Sequence, residues 1–89
     1  MKDDRGLYYH PNAGDDRARV YVRRGEDGGV EFRLWQAECP EIWERHPWLP
    51  YAVVQDAARL YQQERNKDAD PLRLYDLAVA RALLQEDGA

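Results

Sequence analysis

An alternation of apolar and polar side chains marks two segments in the first half of the chain. Its apolar members are Val20, Val22, Val30, Phe32 and Leu34. Because successive side chains of a β-strand point to opposite faces, these residues belong on one face of a sheet. A five-residue loop at 25–29 joins the two segments and sets Val22 opposite Phe32. The pattern therefore predicts an antiparallel hairpin in this register.

A further strand is predicted ahead of the hairpin. Residues 7–10 are apolar and aromatic in character, and a turn-forming cluster with proline, asparagine and glycine follows at 11–14. Residues 1–6 are mostly polar, so we expect a frayed N-terminus there. The strands within 7–36 then form a three-stranded antiparallel meander, in a single domain that spans 7–87.

Helical signals fill the second half of the chain, within 40–87. Pro40 suits the first position of a short helix, which Pro47 must end. Pro50 starts a longer helix, and Asp70 is positioned to cap a last helix that begins directly after it. Helices that follow strands in this order are typical of an α+β fold, with the short helix and the two longer helices packed on one face of the sheet.

Helical spacing also predicts which side chains face the sheet. The expected core residues of the two longer helices are Val53, Ala57, Leu60 and Tyr61 in the first, and Tyr75, Val79 and Ala82 in the second. A second apolar stripe on the last helix consists of Leu77, Ala80 and Leu84, flanked by Arg73 and Arg81. This stripe meets either another layer of the same domain or a partner.

Composition and charge narrow the classes of function. The chain has 89 residues and a formal net charge of -4, which argues against a general binder of polyanions. Its single cysteine excludes an internal disulfide. The N-terminus is charged where a signal peptide needs an apolar run, and no stretch has the length of a membrane span. We therefore expect a cytoplasmic protein without a membrane partner.

Candidate catalytic and metal-binding residues do not form a motif. Cys39 and His46 are separated by six residues, a spacing that fits no compact zinc site, and the acidic pair Asp15 and Asp16 lies in a different segment. Catalytic motifs such as HExxH or a glycine-rich phosphate loop are missing from the sequence. The sequence thus predicts a protein that is not an enzyme and that holds no metal or cofactor.

One face of the predicted hairpin combines basic and aromatic side chains. In the register above, the residues on this face are Arg19, Tyr21, Arg23, Arg33 and Trp35. Aromatic rings that stack on bases and guanidinium groups that hold phosphates are typical of single-stranded nucleic acid binding. Glu31 lies among them and is expected to pair with Arg23, which weakens the positive potential. Nucleic acid binding is the alternative function.

Two other surfaces favour a protein partner. Trp43 and Trp48 lie in a segment rich in tryptophan and proline, and tryptophan is enriched at binding hot spots. The second surface is the stripe of Leu77 and Leu84 beside Arg73 and Arg81, which suits a helix pair in a dimer. The leading hypothesis is a non-catalytic interaction module that binds another protein or a second copy of this chain.

Overall fold

A computed structural model describes residues 1–11, 14, 16–45, 47–63 and 75–87, with no side-chain detail for 61–63. In this part, five antiparallel strands form one sheet in sequence order: β1 (Lys2–Asp3), β2 (Gly6–Tyr9), β3 (Ala18–Arg24), β4 (Val30–Gln36) and β5 (Leu49–Pro50). Three helices accompany the sheet in the described ranges: α1 (Glu41–Arg45), α2 (Tyr51–Gln63) and α3 (Leu77–Glu86).

The α+β class is confirmed, but the predicted three-stranded meander is only its centre. Two strands of two residues each, β1 and β5, extend the sheet at its edges. The N-terminus that we expected to fray therefore folds back on β2, where the Tyr8 amide donates to the Met1 carbonyl at 2.9 Å. The Asp3 carboxylate accepts from the Arg5 amide at 2.8 Å, and Gly6 has a φ of 128°, so a tight turn closes this hairpin.

The register predicted for the central hairpin is confirmed. Val22 pairs with Phe32 and Arg23 pairs with Glu31 across β3 and β4. The loop between them is closed by a hydrogen bond from the Gly25 amide to the Gly29 carbonyl at 2.7 Å. A register shifted by one residue would move every apolar side chain to the opposite face, which is why the alternation alone determined the pairing.

The last helix begins later than predicted. Asp76 caps α3, since its carboxylate accepts from the amides of Ala78 at 3.0 Å and Val79 at 3.3 Å. The helix predicted to begin after Asp70 consequently does not run through Tyr75 and Asp76. Asp70 itself lies outside the described residues.

The two longer helices pack on the same sheet face, but each is rotated by about one residue, or roughly 100°, from the predicted orientation. The buried core consists of Val20, Val22, Val30, Phe32, Val54, Ala80 and Leu84. Val53 and Leu60, which we expected to face the sheet, are 47% and 60% exposed, and Val79 is also exposed. The predicted core positions are therefore wrong for Val53, Leu60, Val79 and Ala82. Tyr75 does pack on the core as predicted, with its ring centroid 5.4 Å from that of Phe32. Tyr61 lies outside the side chains that the structure describes.

A contact at the start of α3 explains this rotation. The Asp76 amide donates to the hydroxyl of Tyr9 at 2.8 Å, which ties the first turn of the helix to β2. From that anchor, Ala80 and Leu84 face the sheet at a spacing of one helical turn. The small Ala80 side chain is completely buried and lets the helix approach the strands closely.

The opposite sheet face is covered as well, which corrects the prediction that all helices share one face. Tyr21 is completely buried on this face, and the Trp43 ring of α1 lies against it with the ring centroids 5.0 Å apart. The described part of the chain is thus a sheet between two layers: α2 and α3 on one side, and the short α1 on the other.

Two leucine truncations test the packing of the helices. Leu84 is 3% exposed, so Leu84→Ala should lower the free energy of unfolding by about 2–4 kcal/mol through lost burial and a residual cavity. The same truncation at Leu60, which is exposed, should change it by less than about 0.5 kcal/mol. Urea unfolding at low protein concentration measures both values. Equal losses at the two positions would contradict the observed helix rotation.

Candidate partner-binding surfaces

A polar cluster from two strands organises the sheet face that carries the basic and aromatic residues. The Tyr21 hydroxyl of β3 donates to Asp3 Oδ2 of β1 at 2.5 Å. Arg19 Nη1 donates to the same oxygen at 3.0 Å. Since charge-assisted hydrogen bonds are the stronger ones, this cluster ties the N-terminal strand to the middle of the sheet.

The surroundings of Asp3 favour its charged form. Partial burial alone would raise the pKa of the Asp3 carboxyl. Hydrogen bonds from Tyr21 and from nearby main-chain amides, together with the charge of Arg19, outweigh burial and hold the pKa of Asp3 below its usual value. Burial and the hydrogen bond to Asp3 raise the pKa of Tyr21, so this hydroxyl stays a donor.

Aromatic rings form a continuous row across this face. Successive ring centroids are separated by 5.4 Å from Tyr8 to Tyr21, 5.0 Å from Tyr21 to Trp43 and 6.1 Å from Trp43 to Trp48. The two contacts made by Trp43 are edge-to-face, a favoured geometry that contributes about 0.5–1.5 kcal/mol per pair beyond the buried area. The row joins β2 and β3 to α1 and to the residue before β5.

Guanidinium groups lie over the rings of this row. The carbon of the Arg33 guanidinium is 4.0 Å from the Trp43 ring centroid, and that of Arg23 is 4.4 Å from the Trp48 centroid. Arg33 also donates from Nε at 2.9 Å, and from Nη2, to the main-chain carbonyl of Trp43. Arg23 pairs with Glu31 at 2.6 Å. Both charges therefore have polar partners as well as rings.

Arg19 contacts two rings at once. Its guanidinium carbon lies 4.7 Å from the Tyr8 centroid and 5.1 Å from the Trp35 centroid. Its Nε is buried and has no hydrogen-bond partner among the described residues. The rings and the Asp3 carboxylate thus hold this side chain, which agrees with the known affinity of guanidinium for aromatic faces.

The five residues predicted to bind nucleic acid share one face, but the face is a packed layer. Tyr21 is completely buried beneath Trp43, so its ring has no free surface on which a base can stack. Arg19, Arg23 and Arg33 already contact rings and polar partners of this chain. Trp35 remains half-buried, and the nucleic acid hypothesis stays a prediction that depends on it.

The residues predicted to bind a protein partner also make contacts within the chain. Trp43 and Trp48 are half-buried members of the aromatic row. Leu84 is in the core, and Leu77 is half-buried against it. Arg81 is exposed, while Arg73 lies outside the described residues. The structure therefore uses the Leu77 and Leu84 stripe for packing, the first of the two uses that the sequence left open.

The sequence did not predict that α2 carries an apolar stripe at its surface. This α2 stripe consists of Val53 and Leu60, which are exposed, and of Ala57, which is half-buried between them. Their helical spacing is the basis of the prediction that they face the sheet. The helix instead packs through Val54 and Ala58, which are 2% exposed.

Neither metal binding nor an activated thiol has support in the described residues. Within them, no group of three or more histidine, cysteine, aspartate or glutamate side chains could hold a metal ion. A hydrogen bond to Glu41, with a smaller effect of burial, raises the pKa of the Cys39 thiol, whereas a catalytic thiolate needs a lowered one. No helix in the described ranges is long and apolar enough to cross a membrane.

The polar cluster predicts a specific dependence of stability on pH. Asp3→Asn should lower the free energy of unfolding by about 1 kcal/mol at neutral pH, because Tyr21 and Arg19 lose a charged acceptor. Since folding lowers the pKa of Asp3, its contribution is complete above the unfolded value of about 3.9 and disappears as the pH falls through the folded value. The difference in free energy of unfolding between the wild type and the variant should therefore disappear at acid pH.

Urea unfolding at a series of pH values measures this difference. Asp4→Asn is the matched control, because Asp4 is the adjacent carboxylate and is exposed. It should track the wild type at every pH. A gap between wild type and Asp3→Asn that stays constant into the acid range would contradict the proposed role of the Asp3 charge.

Comparison of the whole chain with protein-family models, with curated proteins and with solved structures gives no match. Function must therefore be inferred from the residues and their geometry. The α2 stripe is the surface on which that inference rests.

Proposed function

We propose that this protein is a non-catalytic interaction module that binds a protein partner through the α2 stripe. The single observation that carries the proposal is the exposure of Leu60, 60%, and Val53, 47%, on the same side of one helix. Single exposed apolar residues are ordinary on protein surfaces. A helix with one apolar side packed on its own sheet and another exposed to solvent has a second side that is suited to bind a partner.

The partner that best fits the α2 stripe is a second copy of this chain. In an antiparallel pair of α2 helices related by a two-fold axis, Val53 of one copy lies near Leu60 of the other. Ala57 then lies close to the axis, where its small side chain permits close approach of the two helices. The stripe is therefore complementary to itself in shape.

Charges beside the stripe are complementary in the same arrangement. Asp56 borders the stripe, and Arg59 lies one step further around the helix. Within one chain they form an ion pair at 2.9 Å, with side chains that are 70% and 73% exposed. Such an exposed pair contributes little to stability, so exchanging it for the same pair between copies costs little. The two-fold axis places the two Asp56 side chains near each other and brings Arg59 of each copy within reach of Asp56 of the other.

Leu60→Glu tests the proposal. The wild type should associate as its concentration rises from low micromolar to near millimolar, as measured by sedimentation equilibrium. Leu60→Glu should remain monomeric with an unchanged melting temperature, because it places a charge in the seam and leaves the core intact. Gln55→Glu is the control, since Gln55 is exposed on the opposite side of α2, and it should associate like the wild type.

Three other outcomes of this experiment would contradict the proposal or part of it. Loss of folding in Leu60→Glu would show that the α2 stripe packs within its own chain, and the proposal would fail. A wild type that stays monomeric throughout would remove the second copy as the partner. Equal weakening by Leu60→Glu and Gln55→Glu would show that net charge governs association and that the stripe does not.

A charge exchange tests the antiparallel arrangement itself. Asp56→Arg should weaken association several-fold, because it faces Arg59 of the other copy with a like charge. Adding Arg59→Asp to the same chain should restore association, since the two-fold axis restores both pairs. Sedimentation equilibrium measures the three constants. A double variant as weak as the single one would contradict this geometry.

A further inference from the structure

A groove separate from the α2 stripe lies at the hairpin end of the sheet. It has a volume of about 390 Å³ and lies between Tyr51 at the start of α2, the flank of α3 beside its buried side, and the loop that joins β3 to β4. Its apolar lining comes from Val30, Tyr51, Leu77 and Leu84. Val30 and Leu84 belong to the core, so the floor of the groove is formed by packed core side chains. Small-molecule sites are typically concave, apolar and of this size.

The charged side chains that line this groove in the described part of the chain are both basic. Its charged lining residues are Arg24 and Arg81, and no carboxylate lines it among the residues that the structure describes. This basic lining contrasts with the chain as a whole, which has 17 acidic residues and a net charge of -4. Arg24 also donates to the Gly28 carbonyl at 3.4 Å, which holds its guanidinium beside the loop. Arg81 approaches the groove from the exposed side of α3.

The neighbouring groove lacks this property. It is larger, at about 930 Å³, and shares Arg24, Val30 and Tyr51 with the first. Glu26 and Asp27 line it, so its charges are mixed. A mixed lining of this kind has no net preference for an anion.

From the smaller groove we infer a binding site for a small amphipathic carboxylate. The apolar body of the ligand lies against Tyr51 and Leu77, and its carboxylate accepts hydrogen bonds from the guanidinium groups of Arg24 and Arg81. Guanidinium is planar and matches a carboxylate with two parallel hydrogen bonds. The volume suits a straight-chain acid of roughly ten carbon atoms. This site is independent of the α2 stripe, with which it shares no residue.

Decanoate is the probe, titrated into the full chain and followed by amide NMR shifts. Saturable binding should shift the amides of Leu77, Arg81 and the β3–β4 loop. Arg81→Gln should weaken binding about tenfold, because one of the two charged donors is lost. Arg59→Gln is the matched control on α2, outside the groove, and should bind like the wild type. Decanol, which has the same chain without the charge, should bind at least about tenfold more weakly.

Several results would overturn the site. Decanol that binds as tightly as decanoate would show apolar adsorption without charge recognition. Arg81→Gln that binds like the wild type, or Arg59→Gln that is equally weakened, would exclude the assigned donors. Absence of saturable binding below millimolar decanoate would also exclude it. Repeating the titration on Leu60→Glu separates this site from self-association, and the affinity should be unchanged.

Discussion

Tyr21 lies at the centre of the described part of this small protein and contacts several of its elements. Its ring is buried between Tyr8 and Trp43, and its hydroxyl donates to Asp3. The N-terminal strand and α1 both contact this one side chain, in addition to the pairing of β1 with β2 and the hydrogen bonds from Arg33 to the Trp43 carbonyl. A helix as short as α1 is not stable alone in water, so it depends on the contact of Trp43 with Tyr21 and on the cap that Arg33 provides at its carbonyl. Loss of Tyr21 would remove a contact from each element, while the β1–β2 pairing and the Arg33 hydrogen bonds would remain.

Arginine replaces aliphatic side chains in much of this second layer. A domain of this size has too little volume for a thick core on both sides of a sheet. Guanidinium groups cover the aromatic rings with their flat faces and keep their edges available to carboxylates and carbonyls. Arg33 illustrates this, because it covers Trp43 and binds its main-chain oxygen at the same time. The layer is thin, polar at its rim and still well packed.

Strand register could be predicted from the sequence, whereas helix rotation could not. Period-two alternation in β3 and β4 permits one pairing, and the charges of Arg23 and Glu31 agree with it. In α3, apolar residues occur almost all round the helix, so its rotation depends on the contact of Tyr9 with the Asp76 amide, distant in sequence. The residues of the basic face were brought together as predicted. Their burial was not predictable, because Trp43 comes from beyond the hairpin.

The two short edge strands limit how this protein can meet others. Open sheet edges recruit strands from other chains, and natural proteins avoid this with short edges and with proline. Here one edge is the two-residue β1, which carries Lys2, and the other is the two-residue β5, in which Pro50 has no amide hydrogen to donate. Both edges of the sheet, as far as the structure describes it, are therefore poor templates for a strand of another chain. At high concentration we therefore expect the protein to resist fibril formation. Association should occur through side-chain contacts, and such contacts are used up once a closed oligomer has formed.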